Sequence, residues 1–447
     1  MNNKLLMVVL SGTALLAAPV RARVPNYDEN KVAPFTLEDP LVFKDGSRVV
    51  SAADWERRRA EIVGIFAEKM FGRIPPPPET LVAELVEEGP TLAGLAIRRQ
   101  YRMWFKADRS GPFLDWLVVI PNRIAGSAPE TKNGRVVCEN TGRAPVILML
   151  NYKGNHETLN DEEVLIPEGT WLKRSASQDN RPSAKHRAGL RDSTWRSTVP
   201  METIAARGYA FMTCCYGQVS PDVDVRDGDD ERLAYTNGVF RLWTRDESRQ
   251  DEITAIGAWA WALSRGLDLA ERIPELDAAR AVATGSSRLG KTALLACSRD
   301  PRFKVCAPNQ TGGGGVPLAK RDFGENVSTE MASFPHWYCR AYAKYIDNEA
   351  AMDFDQHLLV ASIAPRALLV QGFNKPWFDA RGEWLSLKAA SPVWTALGRR
   401  ALSSAEAPAD FSEAAAAGTV GYYRRGGEHG LSGYDWKVIL DFADREL

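Results

Sequence analysis

Gly285-Ser286-Ser287-Arg288-Leu289-Gly290-Lys291-Thr292 constrains this chain more than any other stretch, because it satisfies two catalytic templates at once. Read as G-x-x-x-x-G-K-T it is a loop that cradles phosphates with backbone N–H groups and a lysine. Read as a nucleophile elbow it carries a serine on the sharp turn between a strand and a helix, with glycines relieving the crowding. Both templates require a strand before the motif and a helix after it. Arg280 to Thr284 is a short apolar run, and Thr292 to Ala296 favours helix. The octapeptide alone leaves both readings open.

The rest of the chain separates them. A phosphate loop usually follows the first strand of its domain and needs a later aspartate for magnesium. Here the motif lies about two-thirds of the way along the chain, after several strands. Downstream, the strand Ala367 to Gln371 leads to a loop with Asp379 and Glu383, and a last strand, Thr419 to Tyr423, leads to Gly426-Gly427-Glu428-His429-Gly430. Serine, then acid, then histidine after the last strand is the order of α/β-hydrolases. The amino terminus agrees: Lys4 precedes an apolar run from Leu5 to Val20 that ends at a small-residue cleavage pattern near Val20-Arg21-Ala22. Residues 1–22 therefore read as a signal peptide, too short and weakly flanked for a stable span. Secreted or periplasmic residence is expected, where nucleotide is scarce.

Net charge of −1 gives no electrostatic case for nucleic acid or a membrane surface. Thirteen tryptophans suit either sugar stacking or core packing. The six cysteines (Cys138, Cys214, Cys215, Cys297, Cys306, Cys339) show no C-x-x-C pair and no metal-ligand spacing. Cys214 and Cys215 continue an apolar run and read as buried strand thiols. Neither a metal nor a cofactor is expected.

Asp54 to Met70 reads as an amphipathic helix that ends before Pro75-Pro76-Pro77-Pro78. Alternation predicts strands at Ala96 to Phe105 and Phe113 to Ile120, then buried strands at Val146 to Leu150 and Gly208 to Cys215. Helices are predicted at Asp251 to Leu263 and Tyr434 to Leu447. Strand alternating with helix implies an α/β class, a three-layer sandwich around a mostly parallel sheet. Residues 23–447 form one catalytic domain in this reading, with an N-terminal extension over about 23–110.

Ser287 is the nucleophile candidate, since the elbow projects its Oγ above the sheet. Its following glycine is displaced by one place, giving G-x-S-x-x-G; Ser286 has the wrong spacing to both glycines. His429 is the base candidate, in a Gly-rich loop after the last strand. His357 and His186 read as structural or solvated, while His156 and His336 could line the cleft.

Together these residues resemble carbohydrate esterase family 15, the glucuronoyl esterases, over most of the mature chain. The resemblance rests on Gly285 to Lys291, Asn151-Tyr152-Lys153-Gly154-Asn155-His156, Phe323-Gly324-Glu325 and Ser333-Phe334-Pro335-His336-Trp337. Asp347-Asn348-Glu349-Ala350, Asp355-Gln356-His357, Ala364-Pro365-Arg366 and Gly426 to His429 also match. It implies that Ser287 attacks an ester, that His429 is general base and then acid, and that Arg288 donates to the oxyanion. Lys291, Glu325 and Trp377 would hold the glucuronoyl sugar. The implied substrate is the ester between 4-O-methyl-glucuronic acid on xylan and a lignin alcohol, taken by a monomer. The departure is the triad acid: the family's two positions hold Gln310 and Lys375. Asp379 is then the favoured acid, because it follows the strand where this fold usually delivers one. The alternatives are Gln310 as a polar orienting group, or a weakened site. Deacetylation of plant polysaccharide and a degenerate carbohydrate-binding relative are the other functional readings.

Overall fold

The computed structural model describes residues 22–122, 130–132, 135–137, 142–171, 181–188, 199–402, 404–413 and 416–447. The signal peptide reading, apart from Ala22, and Cys138 lie outside these residues.

Eleven strands are described: β1 (Val82–Thr91), β2 (Ala96–Trp104), β3 (Phe113–Pro121), β4 (Glu130–Lys132), β5 (Arg135–Val137), β6 (Ala144–Asn151), β7 (Ala210–Cys215), β8 (Leu276–Ser286), β9 (Phe303–Asn309), β10 (Ala367–Phe373) and β11 (Val420–Arg425). Strands β4 and β5 pair only with each other. The other nine form one sheet in the order β1-β2-β3-β7-β6-β8-β9-β10-β11. From β7 to β11 the pairings are all parallel, and β1, β2 and β3 join as an antiparallel ribbon.

A parallel strand covered on both faces must be apolar throughout. Strand β6 (APVILMLN) meets that demand and is buried at every position. Its alternate residues feed two cores: Val146, Leu148 and Leu150 on one face, Ile147 and Met149 on the other. The first core is closed by helices Ala52–Phe66, Ala255–Ala270, Arg288–Arg299 and Ala380–Ala390. The second is closed by Met201–Ala206 and Gly433–Glu446. This is the expected three-layer α/β arrangement. The predicted helix at Asp54 to Met70 runs as Ala52–Phe66, continued by a wider turn to Phe71.

Most tryptophans serve packing rather than contact. Trp55, Trp116, Trp259, Trp394 and Trp436 are fully buried, whereas Trp377 is 37% exposed. Cys214, Cys215, Cys297, Cys306 and Cys339 are buried free thiols, the first two in β7 as anticipated.

Candidate active site

Ser287 is the one residue between the end of β8 and the helix Arg288–Arg299, and its backbone has φ 57° and ψ −131°. A non-glycine residue held there stores roughly 1–3 kcal/mol of strain. Three hydrogen bonds hold it: the Ser287 N–H donates to Asn309 O (2.9 Å), and Ser287 O accepts from Gly290 N (2.8 Å) and Lys291 N (3.0 Å). Tyr152, in the loop after β6, donates its hydroxyl to Ser286 O at 2.5 Å. The displaced glycine now has a reason. A Cβ at Gly290 would lie 2.7 Å from Asn309 O, and one at Gly285 would lie 2.3 Å from Leu289 O. The helix passes so close to β8 and β9 that only glycine fits at both crossings.

The same contacts exclude the phosphate-loop reading. The N–H groups of Ser287, Gly290 and Lys291 are spent inside the turn. Lys291 Nζ is buried between Glu330 (3.2 Å) and Glu325 (3.5 Å).

His429 lies half-buried in the loop that joins β11 to the helix Gly433–Glu446. Its Nδ1 meets Gln310 Oε1 at 2.6 Å. Gln310 is fully buried, is the first residue past β9, and has φ 47°. Asn309 and Gln310 are consecutive, so two adjacent residues tether the serine backbone and the histidine ring. Phe378 and Phe373 pack on the imidazole, with ring centroids 4.9 and 5.9 Å away. Arg425 holds the loop from below by donating to Gly426 O (2.9 Å), Glu428 O (3.0 Å) and Gly430 O. Asp435, buried, anchors Arg425 at 2.8 Å.

Asp379 does not orient His429, contrary to expectation. Its Oδ2 accepts from Arg321 Nε (2.9 Å), and its Oδ1 accepts from Arg321 Nη2 (3.2 Å) and Gly382 N (2.9 Å). It caps the helix Ala380–Ala390, six residues past the end of β10, and its carboxylate is turned to Arg321 rather than to the imidazole. Lys375 is exposed. The group at Nδ1 is Gln310, the alternative that the sequence left open.

The neighbouring half of the cleft is charged. Arg288 pairs through one Nη with Asp222, which is fully buried. Asp222 also accepts from Tyr216 Oη (3.0 Å) and Trp337 Nε1 (2.8 Å), and faces His336 Nε2 at 3.0 Å. Trp337, Phe334 and Tyr152 surround the guanidinium at 5.1, 5.7 and 5.9 Å. Burial works against the Arg288 charge, but Asp222 outweighs it, so the guanidinium stays protonated. Its Nε is buried and has no acceptor among the described residues.

Lys291 lies 4.7 Å over Trp337 as well as between its two carboxylates. Burial raises the Glu330 carboxyl to about 7, with Lys291 opposing the rise. Tyr338 donates to the same carboxyl at 2.5 Å. The Glu325 N–H donates to Trp377 O (3.0 Å), bringing the exposed Trp377 to the same rim. The structure thus brings Arg288, Lys291, Glu325 and Trp377 together through Trp337 and the Glu325 contacts. His357, buried, contacts Glu38 O at 2.7 Å and serves structure. His156, also buried, contacts Ser183 O at 2.8 Å. Asp222, Glu330 and Arg425 were not anticipated. Asp222 is 66 residues from Arg288 and Glu330 is 39 from Lys291, so no local spacing signals either pair.

A parallel sheet with a strained serine elbow and a histidine loop past the last strand defines an α/β-hydrolase. A family model described as glucuronyl esterase, fungi, matches residues 226–398. A carbohydrate esterase of an unknown prokaryotic organism is 31% identical over 460 residues, covering 100% of this chain and 99% of the relative. A 4-O-methyl-glucuronoyl methylesterase of Schizophyllum commune is 26% identical, covering 81% of this chain and 74% of the relative. Among solved structures, a promiscuous CE15 esterase from the marine bacterial metagenome superposes with a TM-score of 0.82 at 31% identity, covering 95% of this chain and 100% of that one. The glucuronoyl esterase of Solibacter usitatus does so with 0.80 at 32% identity, covering 94% and 100%. The chain belongs to carbohydrate esterase family 15 and is a carboxylic-ester hydrolase, a glucuronoyl esterase.

Proposed function

We propose that this protein hydrolyses esters of 4-O-methyl-glucuronic acid, such as those that join xylan to lignin alcohols, with Ser287 as nucleophile and His429 as base. The observation that carries the reading is the 2.6 Å contact from His429 Nδ1 to Gln310 Oε1, one residue from the carbonyl that anchors Ser287. An acceptor at Nδ1 keeps the proton there and leaves Nε2 bare to take one.

Ser287 Oγ then bonds to the ester carbon while its proton moves to His429 Nε2, and the carbonyl electrons move to oxygen. The oxyanion lies against the Arg288 guanidinium, whose Nε–H has no acceptor among the described residues and can donate to charge that develops only in the transition state. On collapse the bond to the alcohol breaks, and Nε2 returns the proton to the leaving oxygen. Water repeats both steps on the acyl-enzyme and releases the uronic acid. Lys291, Glu325 and Trp377 hold the sugar, Trp377 by its exposed ring. The relative described as promiscuous, at 31% identity, supports a wider range of esters. We further propose export, with residues 1–22 removed, to the compartment where such polysaccharides are met.

The test is hydrolysis of benzyl glucuronate beside an acetyl ester, with Ser287→Ala as control. Activity on the glucuronate that disappears in the variant supports the reading. Acetyl hydrolysis alone replaces the substrate, and neither activity leaves a binding relative.

A further inference from the structure

Resting on the reading of His429 as base, we propose that Gln310 is a positioning residue built as an amide. Gly430 dictates which end of the side chain faces the imidazole, so a neutral group sets the tautomer that a carboxylate sets in other triads.

An amide in this place ordinarily fails. When an orienting aspartate is replaced by asparagine, the NH2 end can face the histidine and hold the wrong tautomer, at a cost of about 10⁴ in turnover. Gln310 has no such freedom. Its Oε1 accepts the Gly430 N–H at 2.6 Å, and its Nε2 donates to Gly430 O at 3.1 Å. A backbone N–H only donates and a backbone carbonyl only accepts, so this paired contact reads the amide in one orientation. The oxygen that accepts from Gly430 is the oxygen that meets His429 Nδ1. Arg425 also donates to Gly430 O and keeps the carbonyl in place independently of Gln310. The Gln310 N–H donates to Gln371 O (2.9 Å), which fixes the other end of the residue. A glutamate would set its second oxygen against the Gly430 carbonyl, acceptor against acceptor. The pocket is therefore matched to glutamine rather than left over from an acid.

Around the imidazole stand neutral Gln310 from the β9 end and the rings of Phe373 and Phe378 from the β10 side. The end of β11 contributes Arg425, paired with Asp435, and its own loop the exposed Glu428. Asp379, one residue beyond Phe378, is paired with Arg321. Exchanging Gln310 for an acid changes the charge at Nδ1 itself.

The experiment is ¹⁵N NMR of the imidazoles with pH profiles of kcat, on the whole protein and on Gln310→Ala and Gln310→Glu. The chain has five histidines, and His429→Gln assigns the one of interest. Expected in the parent is a single tautomer, protonated at Nδ1 and bare at Nε2. In Gln310→Ala both tautomers appear, and kcat falls roughly 10²- to 10⁴-fold with KM changed less than about threefold. In Gln310→Glu the acidic limb of kcat moves up by about one pH unit or more, because a carboxylate opposite the ring favours its charged form. A purely structural glutamine leaves that limb and the tautomer unmoved, and either result overturns the proposal. An Nε2–H tautomer in the parent overturns it as well. If Gln310→Ala does not fold, Gln310→Met, similar in volume and lacking the acceptor, carries the same readings. The NMR needs no substrate. Failure to cleave glucuronate with the tautomers as expected would sink the functional reading and leave Gln310's role standing.

Discussion

The two halves of the cleft are held by different forces. The chemical half, Ser287 with His429, hangs on backbone and amide hydrogen bonds from Asn309 and Gln310. The binding half is built from buried ion pairs, Arg288 with Asp222 and Lys291 with Glu325 and Glu330. Neutral hydrogen bonds fix direction at small desolvation cost, which suits a proton relay. Ion pairs keep cations charged in an apolar place, at the cost of being already occupied before substrate arrives. The Arg288 charge is already positioned and partly neutralised by Asp222.

The largest expected effect tests the chemical half. Ser287→Ala should lower kcat roughly 10⁶-fold, as removal of other serine nucleophiles does, while Ser286→Ala keeps most turnover. Benzyl glucuronate kinetics decide it, and equal loss in both variants breaks the assignment. Next in size is Arg288→Ala, expected to lower kcat roughly 10²- to 10³-fold with KM less affected. Asp222→Ala should reproduce that kinetic loss and also cost about 3–5 kcal/mol of stability, since it strands a buried cation. If Asp222→Ala leaves kcat intact, the charged half is only a binding surface.

A pH measurement separates the halves more finely. Burial holds the folded-state value of Glu330 near 7, above its ordinary 4.5. Between these values the native state binds the extra proton, so stability falls as pH rises through the window. Thermal melts of the parent should show this slope from about pH 4.5 to 7, and Glu330→Gln should flatten it. A slope unchanged in the variant would place its origin elsewhere. The smallest kinetic effect is expected from Asp379→Asn, with kcat within about threefold and a lowered Tm, because the Arg321 pair supports the fold rather than the base. A kcat loss above about 100-fold would restore Asp379 as the orienting acid.

Much of the chemical half was legible in the sequence because its constraints are local. The elbow needs glycine on either side of Ser287, and the histidine loop announces itself by Gly426, Gly427 and Gly430 past a strand-like run. The layer order followed from strand and helix alternation. Reading Asp379 as the orienting acid failed for a definite reason: position after a strand says which edge of the sheet a residue reaches, not where its side chain turns. Here Arg321, 58 residues earlier, claims both of its oxygens. The charged half was legible only on its helix, as Arg288 and Lys291, and not in the carboxylates that pair with them.

The sequence by itself determined the elbow, the α/β order and the residue types at Ser287, Arg288, Lys291 and His429. Steric limits at glycine and the periods of strand and helix act between near neighbours, and a sequence displays them directly. Tertiary structure alone decided that Gln310 meets His429 across 119 residues, and that Gly430 turns its amide oxygen toward the ring. That choice depends on the hydrogen-bond directions of a backbone folded back against β9, and no spacing along the chain encodes those directions.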